Sequence, residues 1–176
     1  MEKIPVKSIS NECHTRKGFG ANCLSASCAD ACCRHGADFD STSHKIVFAN
    51  RDIVETAIGV KLERCFDEEW TGKKEYLGGD CINSCVLPSG YCAFHSPKGR
   101  GCVLYELVNE KGLPRRVIPS ICRLYPLTWD DGHLMVYDED GEEFEKGCAC
   151  SDPSLMSSKS LFETQKHEIH DIISFA

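Results

Sequence analysis

The chain predicts a small, irregular α+β fold, a single domain of short helices and hairpins closed by a C-terminal helix. Three observations predict it. Helix-like and strand-like patterns alternate in short runs broken by Gly and Pro. The 176 residues are the length of one domain. Hydrophobic content is 41%, part of it cysteine, so the ordinary apolar core is modest.

Residues 1–22 are polar and expected to be irregular, with Gly18 and Gly20 blocking a regular helix. A cysteine-rich run comes next. After Gly36, the segment HKIVF at His44–Phe48 reads as a short strand. Asn50 is a candidate N-cap. Beyond it Ile53, Val54, Ala57, Ile58 and Leu62 recur at helical spacing, as on a core-facing helix. Residues 67–80 (DEEWTGKKEYLGGD) read as an exposed acidic connection. Residues 103–111 (VLYELVNEK) form a helical pattern with Gly112 as its C-cap. Pro114, Pro119 and Pro126 punctuate the next stretch of chain. In 127–137 (LTWDDGHLMVY), Asp131-Gly132 between two β-prone runs signals a hairpin. The acidic stretch 138–146 lacks the EF-hand pattern and reads as a solvated turn. In the tail, Ser160 and Glu163 form a capping box ahead of an apolar set of Leu161, Phe162, Ile169, Ile172 and Ile173. The expected organisation is an irregular segment over 1–22, a cysteine-cluster domain over 23–150, and a helical tail over 151–176 packed on that domain.

Composition excludes several functions. A formal net charge of -7 disfavours nucleic acid as a partner. The small basic pairs, Lys98 with Arg100 and Arg115 with Arg116, read as solvated loops rather than an anion site. No apolar run approaches the ~20 residues of a membrane span. The first residues hold no apolar segment of a secretory signal. The cysteine count of 13 is odd. Together these favour reduced thiols in a cytoplasmic protein over a disulfide framework.

The cysteines are grouped. Cys23, Cys28, Cys32 and Cys33 form a C-x4-C-x3-C-C run, and Cys92, Cys102, Cys122, Cys148 and Cys150 lie further along the chain. Thiolates are soft donors suited to zinc, Cu(I) and iron–sulfur clusters. Spacing alone leaves the metal open. Zinc sites tolerate these gaps, whereas plant-type iron–sulfur spacing is missed by one residue. Neighbouring Cys32 and Cys33 point in different directions and therefore serve two sites, or one ligates while the other packs. Cys13 and Cys65 stand alone and read as small buried hydrophobes. Cys81 and Cys85 are ambiguous. His35 and His95 are candidate nitrogen ligands, or hydrogen-bond nearby backbone; His167 and His170 suit solvent-facing or capping roles. No phosphate loop, nucleophile–base set or paired-carboxylate signature is evident, so no catalytic residue is assigned.

The pattern resembles the YkgJ-like cysteine-cluster family of zinc- or iron-chelating domains. The resemblance rests on the run ending at Cys32-Cys33 and on Pro119-Ser120-Ile121-Cys122-Arg123-Leu124-Tyr125-Pro126. Cys92-Ala93-Phe94 and Gly101-Cys102 lie between them, and Cys148 or Cys150 comes last. The gap from Cys23 to Cys28 is longer than the family's. Over residues 23–150 the resemblance implies a metal or cluster site on these cysteines. It delivers no reaction, and four functions stay open: an iron–sulfur protein, a zinc-stabilised module with a protein partner, a cluster-dependent, methyltransferase-like protein-modifying enzyme, and a Cu(I) buffer. Within the proline-flanked element, Arg123 is expected to screen thiolate charge, and Tyr125 and Trp129 to cover the site, unless all three simply pack.

Overall fold

The computed structural model describes residues 3–19, 28–72, 80–141 and 148–175. Helix α2 (Ser41–Ala49) begins because the Asp40 carboxylate accepts the Thr42 and Ser43 amides at 3.1 and 3.0 Å. This corrects the strand expected over His44–Phe48. The β-branched run suits a strand locally, but the cap and the burial of Val47 in the core hold it helical. Helix α3 (Arg51–Ile58) begins directly after it, and Gly59 ends it in the left-handed region (φ 73°). Asn50 occupies its N-cap position, its carbonyl accepting the Val54 amide at 3.1 Å, but its side chain does not cap α3: the side-chain amide turns back to the Ile46 carbonyl at 2.8 Å and closes α2. Val54 and Ile58 face the core, Ile53 points outward, and Leu62 is buried in a short 3-10 turn beyond the helix.

These helices, with Phe39, Phe94, Leu104 and Ile118, enclose one apolar cluster. Strands β4 (Asp38–Asp40) and β5 (Cys81–Asn83) pair antiparallel beside it. Helix α4 (Val103–Lys111) buries Val103, Leu104 and Leu107 and stops at Gly112 (φ 69°), as its sequence predicts. Helix α5 (Ser120–Leu124) leads into the hairpin of β6 (Leu127–Asp130) and β7 (His133–Val136). Asp131 (φ 40°) and Gly132 (φ 76°) make its turn, both left-handed as a tight two-residue hairpin requires.

The N-terminal segment is not irregular. Strand β1 (Ile4–Val6) pairs parallel with β9 (Ile173–Phe175), and β2 (Ser8–Ile9) with β7. A short helix, α1 (Asn11–Thr15), comes after them. Strand β3 (Lys17–Phe19) runs antiparallel to β8 (Met156–Ser160). Its partners lie far away in sequence, so the polar local pattern hid them. Ser160 and Glu163 form the expected capping box on α6 (Leu161–Thr164), and α7 (Lys166–Ile172) buries Ile169 and Ile172. The tail thus packs on the domain, around a second cluster that includes Val6, Trp129 and Leu134.

Gly18 lies where β3 meets α6. A Cβ there would overlap the Thr164 hydroxyl and lie 2.6 Å from the Ser160 carbonyl. Gly18→Ala is expected to cost about 1–3 kcal/mol through this overlap. A urea unfolding midpoint equal to that of the parent chain would refute it.

The basic pair Arg115–Arg116 is not a solvated loop. Arg116 is buried and pairs with Asp171, and Arg115 donates to Glu168 at 2.6 Å. Lys98 pairs with Glu106, while Arg100 donates to the Cys28 carbonyl at 3.1 Å. Residues 73–79 of the expected acidic connection and 142–146 of the acidic turn lie outside the described residues. No described helix is long and apolar enough to cross a membrane.

Candidate metal centre

Cys32 and Cys33 lie on a 3-10 turn, Ala31–Arg34, that Asp30 sets up. Asp30 is buried and left-handed (φ 54°), and its carbonyl accepts the Cys33 amide at 2.9 Å. Its carboxylate accepts the Gly101 amide at 2.8 Å and the His95 Nε2–H at 3.1 Å. This carboxylate therefore ties the cysteine turn to the segment from Cys92 to Cys102. The Cys92 amide donates to the Cys33 carbonyl at 2.6 Å, and His95 bridges antiparallel to Cys102. Tyr91 stacks on His95 with ring centres 4.2 Å apart, and the Arg34 guanidinium lies 5.4 Å over the Tyr91 ring. His95 is thus engaged by Asp30 through one ring nitrogen, an arrangement that fixes the orientation of its ring.

The sulfurs form a connected series. Cys148, buried at the head of the 3-10 turn Ala149–Ser151, accepts hydrogen bonds from Cys150, Cys32 and the Tyr125 hydroxyl. Bonds from Cys150 and Cys32, which outweigh burial, hold its thiol well below the ordinary cysteine range. Hydrogen bonds to Cys148 and Cys33, with burial added, push the Cys32 thiol up. The bond from Cys32 pulls Cys33 down. Beyond Cys33, Cys92 and Cys102 lie within reach of its charge. Burial raises both of these thiols. The Ser84 hydroxyl lies 3.2 Å from the Cys92 sulfur and also accepts the Ala37 amide at 2.8 Å. Burial likewise raises the Tyr125 phenol, and the neighbouring sulfurs raise it further.

The structure thus brings together Cys32, Cys33, Cys148 and Cys150, with Cys92 and Cys102 adjoining. Cys28 is half-buried ahead of the Cys32–Cys33 turn. Cys122 is half-buried on α5 and packs against the first core cluster. Cys23 lies outside the described residues. All described cysteines are free thiols. Cys13 and Cys65 are fully buried, and burial pushes each thiol up to about 12. Their sulfurs lie against the Leu134 carbonyl at 3.7 Å and the Lys61 carbonyl at 3.4 Å, as small apolar side chains with a weak donor do. Cys81 is buried beside Thr71, and the partly exposed Cys85 beside Asp67.

Two expectations need correction. Arg123 does not screen the thiols: it is fully buried and held by Glu168 and Asp171 of α7. Trp129 packs in the second core cluster, where β-pairing sets it opposite Leu134. Tyr125 does reach the sulfurs. Sequence reasoning missed Asp30, Ser84 and Tyr91, whose partners are recruited by tertiary contacts. The one local signal was an acidic residue at the head of the cysteine turn.

The donor chemistry fits a soft metal. The sulfurs lie near one another in a series, however. Among the described residues, no three His, Cys, Asp or Glu side chains are grouped as a ready chelate. Comparison with protein-family models, curated proteins and solved structures returns no match.

Proposed function

We propose that this chain is a cytoplasmic metal-binding protein that holds an iron–sulfur cluster or zinc on its clustered thiols. Cys32, Cys33, Cys148 and Cys150 form the centre, with Cys92 and Cys102 adjoining and Cys23, Cys28 and Cys122 completing the candidate set. One observation supports the reading: unoxidised thiols from segments more than a hundred residues apart, Cys32 and Cys33 on one side and Cys148 and Cys150 on the other, lie near enough to perturb one another. Burying several thiols against one another without a disulfide or metal is unfavourable once they ionise, because their charges repel. A cation or cationic cluster removes that repulsion. Membership of the YkgJ-like family is part of the same proposal.

Iron–sulfur is favoured over a single zinc because the thiols outnumber the four ligands of a tetrahedral zinc site. Two zinc sites, one on each side of the Cys32–Cys33 turn, are the alternative. They would make the chain a zinc-stabilised interaction module. A cluster-dependent, methyltransferase-like activity would need a cosubstrate pocket besides the thiols.

The test is metal and acid-labile sulfide per chain, on protein purified without oxygen. Iron with matching sulfide supports a cluster, and zinc without sulfide supports the module. Cys32→Ser and Cys148→Ser are each expected to weaken metal retention about tenfold or more, whereas Cys13→Ala leaves it intact. Full retention in the Cys32→Ser, Cys148→Ser double variant would defeat the assignment.

A further inference from the structure

We propose that Ser84 is a positioning residue for the centre, its hydroxyl donating to the Cys92 sulfur and thereby favouring the metal-bound form of that sulfur over the free thiol. This role rests on the metal-binding reading above, in which Cys92 is a candidate ligand.

The Ser84 Oγ lies 3.2 Å from the Cys92 Sγ. Ser84 is 1% exposed and Cys92 9%, so water competes little for the contact. The serine is held from several directions by bonds that need no metal. Its amide donates to the Ala37 carbonyl at 2.9 Å, its Oγ accepts the Ala37 amide at 2.8 Å, and it bridges antiparallel to Phe66. Its carbonyl lies against Gly36, where a Cβ would approach it to 2.2 Å. Gly36 and Ala37 come just after the turn that carries Cys32 and Cys33. The Cys92 amide in turn donates to the Cys33 carbonyl at 2.6 Å. Ser84 and Cys92 are thus both anchored to the segment of the paired cysteines.

The chemistry of the two groups sets the direction of the bond. A hydroxyl has one hydrogen and two lone pairs. The Ala37 amide occupies one lone pair, which leaves the hydrogen to turn to the sulfur. While Cys92 is a thiol, either group can donate, and sulfur is weak in both roles. A sulfur that binds metal has given up its proton and only accepts. The serine alone then donates, and a bond to an anionic acceptor is shorter and stronger than one to a neutral acceptor. The gain between the two states favours the ligated sulfur. The same bond draws electron density from the sulfur, which raises the energy of thiolate-to-metal charge transfer.

The experiment uses the full chain, reduced and stripped of metal under nitrogen and then loaded with cobalt(II), whose thiolate charge-transfer band reports on the sulfur ligands. Zinc titrated against a chromophoric chelator gives the affinity. Ser84→Ala is expected to move the band to longer wavelength and to weaken zinc binding about tenfold or more, as loss of a bond to a ligand does. Ser84→Thr keeps the hydroxyl and is expected to restore both. A serine that only packs would change the amount of cobalt bound and leave the position of the band alone. An unchanged band and affinity in Ser84→Ala would overturn the role of Ser84 and leave the metal reading standing. A metal-free Ser84→Ala chain that has lost the near-UV circular dichroism of the parent would overturn it too, since Ser84 would then serve folding alone. A parent chain that takes up neither cobalt nor zinc, and carries no metal or sulfide when purified without oxygen, would sink the metal reading and the role of Ser84 with it.

Discussion

Arg123→Met is expected to destabilise the protein by about 3 kcal/mol, the lower end for breaking a buried ion pair. The arginine side chain is wholly buried and Glu168 is only 7% exposed, so the substitution strands a carboxylate. Arg123 Nε donates to Glu168 at 2.7 Å and Nη2 to Asp171 at 2.5 Å. Arg115 still reaches Glu168, which keeps the loss from being larger. In a chain of this length the thermal midpoint should fall by roughly 6–12 °C. Arg123 Nη1 is itself buried and has no hydrogen-bond partner among the described residues. Adding Glu168→Leu should therefore recover most of the loss, because both misplaced polar groups are then gone. A thermal midpoint for Arg123→Met within about 2 °C of the parent would show that the network adds little. The network matters for the centre because α5 carries Cys122 and ends one residue before Tyr125. Holding α5 against α7 is expected to help position that phenol near Cys148.

Asp40→Ala should cost about 2–4 kcal/mol, since one carboxylate serves the starts of two helices. Besides the α2 amides it accepts the Ser43 hydroxyl at 2.8 Å, and the Ser120 amide and hydroxyl at 3.1 and 2.9 Å. Ser43 and Ser120 are both buried; the Ser120 hydroxyl would lose its acceptor, and that of Ser43 would keep only the Ile118 carbonyl at 3.4 Å. Burial alone would raise the Asp40 carboxyl, but the bonds from Ser43 and Ser120 outweigh it and hold it below the usual range. Its folded pKa therefore lies below the unfolded value of about 3.9. The stabilisation is complete above that value and is lost as pH falls through the folded pKa. Asp171 shares the sign: burial would raise it, and the bond from Arg123 brings it down. Stability of the parent should thus drop steeply below about pH 4, and Asp40→Asn should flatten that drop. Urea unfolding from pH 6 down to pH 2.5 measures it; an unchanged acid limb in Asp40→Asn would exclude Asp40 as a contributor.

What was legible in the chain was what neighbours control. The helix ending at Gly112, the Asp131-Gly132 hairpin and the Ser160–Glu163 capping box all depend on groups within four residues, and all three stand in the structure. His44–Phe48 was misread because Ile46 and Val47 favour a strand in isolation, whereas Asp40 and the apolar cluster beneath Val47 hold a helix. The strands in 3–19 left no trace because their partners come from β7, β8 and β9. Arg123 shows the same limit at the centre. Placed next to a cysteine it reads as a counter-ion, yet folding gives it to Glu168, forty-five residues away.

The supply of thiols, their grouping along the chain and the starts and stops of the best-marked elements can be read from residue order, because each rests on composition or on contacts within one turn of chain. Which sulfurs meet cannot. Cys148 lies near Cys32 because its segment packs on β3, which pairs with β8, and because Asp30 ties the cysteine turn to Gly101 and His95. Those pairings depend on the shape of the buried core, and no spacing along the chain encodes that shape.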